Sequence, residues 1–294
     1  MPIITIYRGE FTAGEEIANS VARALRYRCV TREALIEAGR RYGIAEAKLN
    51  DVLERDPYWW ERWFQNMRAF RVALQAAMCE IAQEGEIVYH GHIGHRLLPG
   101  IRHVLKVMLT APLEFRIRQV QSRHNLDEAR ARDYIDRGDE GQTRRLMTLF
   151  GTDWRDITQY DLAINVAQVG KEGATRLIVE AARFESYQPT AASRQDFKNL
   201  ALASRVQAAL VTSLKFRDLA VTVRAENGEV HVLGAFARPV SEEELVPIIK
   251  SVPGVTKVVT DCISPDLVDQ QEADLTGTFG PECGLAQTFV AGTT

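Results

Sequence analysis

"ITIYRGEFTAGEEIA", residues 4–18, sets an apolar run, a short loop and an amphipathic segment one after another. That order is the outline of a phosphate-binding loop between a strand and a helix. Backbone N–H groups at the helix start would cradle an anion there, and a nearby cation would neutralise it. Such a loop ordinarily ends Gly-Lys-Ser/Thr, whereas this one ends Gly14-Glu15-Glu16. A carboxylate stands where the cation belongs, so the stretch points to a fold and at the same time questions its chemistry.

The pattern around the loop supports the fold. Short unbroken apolar runs alternate with segments of helical period, as in a parallel sheet covered by helices. "IITIY" (3–7), "EIVYHG" (86–91), "HVLKVMLTA" (103–111) and "YDLAINV" (160–166) read as strands. "EEIANSVARALRY" (15–27), "TREALIEAGRRYG" (31–43), the long "YWWERWFQNMRAFRVALQAAMCEIAQE" (58–84) and "PLEFRIRQVQSRHN" (112–125) read as helices. The expectation is an α/β domain in βα order with about five parallel strands.

The rhythm changes at "SYQPTAASRQ" (186–195), which reads as a linker. Beyond it come an amphipathic helix (196–214) and a period-two segment (219–236) centred on Asn227-Gly228, the sequence of a tight hairpin turn. "SEEELVPIIKSV" (241–252) begins with a capping box, and "VTKVVTDCI" (255–263) is a last strand. The expected organisation is an α/β domain over 1–187, a small α+β unit of order αββαβ over 196–264, and a flexible acidic tail over 265–294. The tail holds Asp266, Asp269, Glu272, Asp274 and Glu282 with no Lys or Arg, a composition that keeps a terminus solvated.

A chain of 294 residues with 46% hydrophobic and 26% charged residues is that of a soluble globular protein, and a net charge of −3 gives no basic footprint for nucleic acid. "MPIITIYRGE" lacks the basic start and apolar core of a signal peptide, and no apolar run is long enough to span a membrane. Cys29, Cys79, Cys262 and Cys283 are dispersed without metal-ligand spacing. Together these features place the protein in a reducing cytoplasm.

At this level the residues resemble known families. Residues 1–187 resemble the cytidylate-kinase-like family, a branch of the P-loop nucleoside monophosphate kinases. The resemblance rests on the opening loop, on "IVYHGHIGHRLL", on "KVMLTAPLEFRIRQV" and on "FGTDWRDITQYDLAINVAQVG". In the last of these, Trp154, the Tyr160-Asp161-Leu162 run and Asn165 fall together in family order. Residues 196–264 resemble a BON domain through "VTVRAENGEVHVLGAF" and "VPGVTKVV".

The resemblance implies transfer of phosphate from ATP with Mg²⁺ to a nucleoside monophosphate such as CMP. Carried over by position, it places nucleotide contacts at Arg8, Thr12, Gly14, Glu15 and Glu16 in the loop and at Arg137, Arg144 and Arg145 in the lid. It places the monophosphate at Arg32 and His92. The departures are several. Phe11 and Ala13 stand at glycine positions, Glu15 at the loop cation, Thr31 at an acid, His92 at a strand-ending Arg, and Gln142 at the first lid Arg. Several charges lost at once mark a decayed site and weigh against ATP and Mg²⁺ as working cofactors.

Other clusters have blander readings. His90, His92 and His95 lie close in sequence, but no carboxylate or Cys at ligand spacing completes a metal site, so none is expected. Asp153, Asp156 and Asp161 could hold Mg²⁺ or act as bases, yet acids bordering a strand usually cap and solvate it. No catalytic residue is assigned. Trp59, Trp60 and Trp63 form a helical aromatic stripe that suits a core or, on its outer side, self-association or a protein partner. Three functions stay open: a pseudokinase with a regulatory or scaffolding role, an active CMP kinase, and a nucleotide sensor. In each, the BON-like unit is an interaction module, with membrane-surface contact implied by its relatives.

Overall fold

The computed structural model describes residues 2–9, 12–43, 67–213, 220–235 and 242–262. Phe11, the aromatic run at 58–64, Ser241 of the expected capping box and the acidic tail lie outside the described residues.

Strands β1 (Ile3–Arg8), β2 (Arg28–Val30), β3 (Ile87–Gly91), β4 (Val104–Thr110) and β5 (Leu162–Asn165) form one sheet in the order β2-β3-β1-β4-β5. Every pairing in it is parallel. The unbroken apolar runs follow from burial on both faces. Ile3 and Tyr7 of β1 enter one core with Leu74 and Met78. Ile4 and Ile6 enter the other with Ile17, Val21 and Ile178.

Helix α1 (Gly14–Leu25) follows the loop, and α2 (Arg32–Gly39) follows β2. Next come α3 (Met67–Gln83) before β3 and the short α4 (Gly94–Leu97) after it. Helices α5 (Leu113–His124) and α6 (Glu128–Phe150) pack on each other and hold the place the family resemblance gives to the lid, and α7 (Val166–Ala182) packs on α1. The chain leaves β1 toward β2 on one side and later crosses to β4 on the other. The C-terminal end of β1 is therefore the switch point at which α/β sheets bind ligands.

The second unit consists of α8 (Ala191–Thr212), β6 (Ala220–Glu226), β7 (Glu229–Ala235), α9 (Glu242–Lys250) and β8 (Lys257–Cys262), in the expected αββαβ order. Strands β6 and β7 are antiparallel across Asn227 (φ 49°) and Gly228 (φ 90°), two left-handed residues as a hairpin turn of this kind requires. Strand β8 pairs parallel to β7. Val221, Val223, Val230 and Val232 face Leu202, Val206 and Leu210 of α8 and Leu245 and Ile249 of α9.

The segment expected as a linker is ordered. Helix α8 starts inside it at Ala191, with Thr190 and Ser193 exchanging side-chain and backbone hydrogen bonds as a capping box. Ser193 also meets the buried His103 at 3.0 Å, which ties the segment to the first domain. No helix of the described residues is long and apolar enough to cross a membrane.

Candidate phosphate-binding site

The loop is built from the end of β1. Gly9 N–H donates to the Leu109 carbonyl (3.1 Å), which extends the sheet by one bond. The buried Thr12 hydroxyl donates back to the Gly9 carbonyl (2.8 Å). Ala13 then takes a left-handed conformation (φ 55°, ψ 27°) and α1 begins at Gly14. A Cβ on Gly14 would lie 2.5 Å from the Arg8 Cβ, so only glycine lets the helix start this close to the strand. Ala13 occupies a glycine position in the glycine conformation, at a cost of about 1 kcal/mol. The described part of the loop thus keeps its shape at the expense of strain.

Beside it opens a cleft of about 400 Å³, lined by Arg8, Gly9, Ala13, Glu15, Glu16 and His92, with Gln119, Ser122 and Arg123 of α5 as the far wall. The two glutamates lie in the first turn of α1, where the helix dipole favours negative charge. They supply from within the chain the charge that a phosphate would bring. Glu16 is ion-paired to Lys171 of α7 at 2.5 Å, and both side chains are well exposed. Glu15 makes no ion pair among the described residues; burial raises the Cys29 thiol pKa and the Glu15 charge adds to it, whereas burial and Arg8 lower the His90 pKa and Glu15 only opposes them.

His92 directly follows β3, at the position where the family resemblance has an arginine. Its pKa lies well below the ordinary histidine value, first through loss of solvent and then through the guanidinium charges of Arg8, Arg145 and Arg32. The ring is therefore neutral near pH 7. Arg32 opens α2 and is largely buried, bonded to Glu33 at 3.0 and 3.2 Å. Thr31 caps the same helix by accepting from the Ala34 N–H, so the hydroxyl does the capping work of the missing acid.

The lid is fastened to the sheet by neutral groups. Arg116 of α5 and Asp139 of α6 form a two-point ion pair (2.7 and 2.8 Å), largely buried, that binds the lid helices together. Gln142 of α6 is buried and accepts a hydrogen bond from the Tyr7 hydroxyl. Its amide nitrogen lies 3.3 Å from His92 Nε2 and, being a donor only, bonds to it in the tautomer that carries the imidazole proton on Nδ1. Tyr7 stacks on Trp154 (5.4 Å between centroids), whose indole N–H donates to Thr143 (3.0 Å), and Tyr160 donates to the Trp154 carbonyl (3.1 Å). The most family-like residues of the sequence therefore buttress this contact.

The lid arginines separate. Arg137 is exposed and paired to Asp133 (2.6 Å), and the partly exposed Arg144 lies 3.9 Å from Glu140. Arg145 is buried and contributes to the positive field at His92. The three aspartates are occupied locally. Asp153 accepts from Arg155 N–H, Asp156 from Thr158 N–H and hydroxyl, and Asp161 from Lys106 N–H.

Buried His95 packs between Tyr7 (5.8 Å) and Tyr160 (4.8 Å), away from the field of Glu15 that reaches His90. No group of three or more His, Cys, Asp or Glu among the described residues could hold a metal ion. Cys79 is buried and Cys29 partly buried, and both are free. Sequence reasoning missed Gln119, Ser122 and Arg123. Their spacing in "RIRQVQSRH" is that of one helix face and was the available signal.

Mg·ATP fits these residues poorly. The described loop backbone is retained, but Glu15 lines the cleft where a loop cation is expected and Glu16 stands where a hydroxyl would hold Mg²⁺.

A parallel sheet with a phosphate-type loop after its central strand and a helical lid over it defines a P-loop kinase-like protein. Residues 3–168, more than half of the chain, match the cytidylate kinase-like family, and the chain belongs to it. Residues 199–263 match the BON domain. The cytidylate kinase of Staphylothermus marinus is 26% identical over 150 residues, covering 49% of this chain and 75% of that protein. That of Ignicoccus hospitalis is 26% identical over 179 residues, covering 60% of this chain and 97% of the relative. Among solved structures, an uncharacterised protein from Eubacterium ventriosum aligns with a TM-score of 0.49 at 20% identity, over 62% of this chain and 97% of that one.

Proposed function

We propose that this protein is a pseudokinase of the cytidylate kinase-like family. It binds a phosphate-bearing ligand, a CMP-like nucleotide first, with little or no phosphoryl transfer, and its fold serves a regulatory or scaffolding role with the BON domain as contact module. The observation that carries this reading is the Tyr7–Gln142–His92 chain of hydrogen bonds, made by Gln142 where the family resemblance implies a lid arginine. An arginine acting on the transferring phosphoryl group is worth about 10³–10⁵ in rate, and a glutamine supplies none of that charge. Glu15 acts in the same direction, since it opposes a triphosphate where a cation would attract it.

Binding is supported by what remains. Arg8, Arg32 and Arg145 all bear on His92, a concentration of positive charge suited to one phosphate. BON domains associate with membranes or lipids, so the second unit is proposed to meet a membrane surface or an envelope component. Calorimetric titration with CMP tests the binding half. Micromolar to millimolar binding that is lost in Arg32→Ala is expected. Absence of binding, or equal binding by the variant, would remove the nucleotide from this reading.

A further inference from the structure

Helix α8 carries two stripes. Phe197, Ala201, Ser204 and Ala208 recur at intervals of four, three and four residues and face the first domain. Phe197 and Ala201 lie inside its core, Ser204 contacts the buried Cys79 of α3 at 3.8 Å, and Ala208 packs on Val72 and Ala76 of the same helix. The second stripe, Leu202, Val206 and Leu210, lies inside the BON core. One helix thus supplies two hydrophobic cores with no slack between them.

The connection continues on both sides. Helix α3 packs on α2, which begins with Arg32 of the phosphate site. On the BON side, Asn199 accepts from the Asn227 N–H in the hairpin turn (3.0 Å), and Arg205 donates to the Pro253 carbonyl (3.2 Å). At the far end of α8, Thr212 stands against Gly43, at the close of the α2 segment.

We propose that α8 joins the BON domain and the α2–α3 arm into one cooperative unit, so that whatever tightens or loosens the BON sheet is transmitted to Arg32. Helix α8 can neither tilt nor fray without opening both cores, because its two faces are buried at once. The BON domain is then a built-in regulator of the arm and not a passenger on a tether. This inference concerns coupling and stands whether or not the site binds a nucleotide.

The chain offers a clean readout. Trp154 is buried in the first domain's core, so with Trp59, Trp60 and Trp63 replaced by Phe in every protein compared, tryptophan fluorescence reports that domain. Gly228→Ala loosens the BON hairpin, since Gly228 has φ 90° and the new Cβ would meet Thr256 Oγ1 at 2.8 Å and the Gly254 carbonyl at 3.1 Å. Val230→Ala, a smaller change in the same core, guards against a variant too damaged to fold. With the full chain in urea, the expected result is a fluorescence midpoint lowered in parallel with the circular-dichroism midpoint, together with faster amide exchange at 32–39 and 67–83. A fluorescence midpoint unchanged in both variants, with exchange altered only after residue 212, would overturn the proposal.

Discussion

Replacing Glu15 by lysine reverses one charge at the mouth of the cleft and leaves the described loop backbone in place. The carboxylate is exposed at the start of α1, so the water end of the dielectric scale applies. A unit-charge pair at about 4 Å is worth about 1 kcal/mol there. Going from repulsion to attraction therefore shifts binding of a singly charged oxygen by about 2 kcal/mol, or roughly 30-fold in affinity. Removing an acid from the first turn also costs α1 about 0.3–1 kcal/mol of dipole interaction, so a slightly lower melting temperature should accompany tighter binding. The assay is calorimetric titration of pyrophosphate into wild type and Glu15→Lys at two salt concentrations. The gain should shrink at high salt, because exposed charges are screened. An affinity within about twofold of wild type at low salt would refute the placement of Glu15 against the anion.

Ala13→Gly should stabilise the protein by about 1 kcal/mol in urea denaturation by relieving the left-handed alanine, and a destabilised variant would show that the loop is not strained there. Phe197→Ala should cost about 3 kcal/mol, read as a lower urea midpoint, because the ring is buried in the first domain's core. Acid should destabilise the fold. Burial, with Arg96 and Lys106 adding to it, holds the His95 pKa down at about 3. The unfolded chain therefore takes up a proton near pH 6.5 that the folded chain refuses. This contribution is intact above that pH and falls by about 2 kcal/mol by pH 5, with His90 and His92 shifted in the same direction. A flat stability profile from pH 7 to 5 would contradict it.

Much of the fold was legible because apolar runs and periodicity report burial directly. β1, β3, β4 and the Asn227-Gly228 hairpin lie where their patterns put them. Helix α6 was not legible. Its inward stripe is broken by the buried Gln142 and Arg145, and Gln142 is buried against Tyr7 and His92, partners that only folding supplies. Strand β2 spans three residues, too short for any period to register. The departures at Ala13, Glu15, His92 and Gln142 could be read from sequence by position. Their consequence could not, since Tyr7 and Gln142 are 135 residues apart and the contact exists only after folding. The polar segment before α8 reads alike as a linker and as a helix start, because a capping box has the composition of a linker.

The most direct test of the central claim is a coupled assay with ATP, Mg²⁺ and CMP on the full chain, run beside an active cytidylate kinase. The expected result is turnover far below the ordinary kinase range of about 1–100 s⁻¹, with CMP still bound in calorimetry. Turnover within that range would contradict the account and show that Arg8, Arg32 and Arg145 suffice for transfer without a loop cation or a lid arginine at position 142.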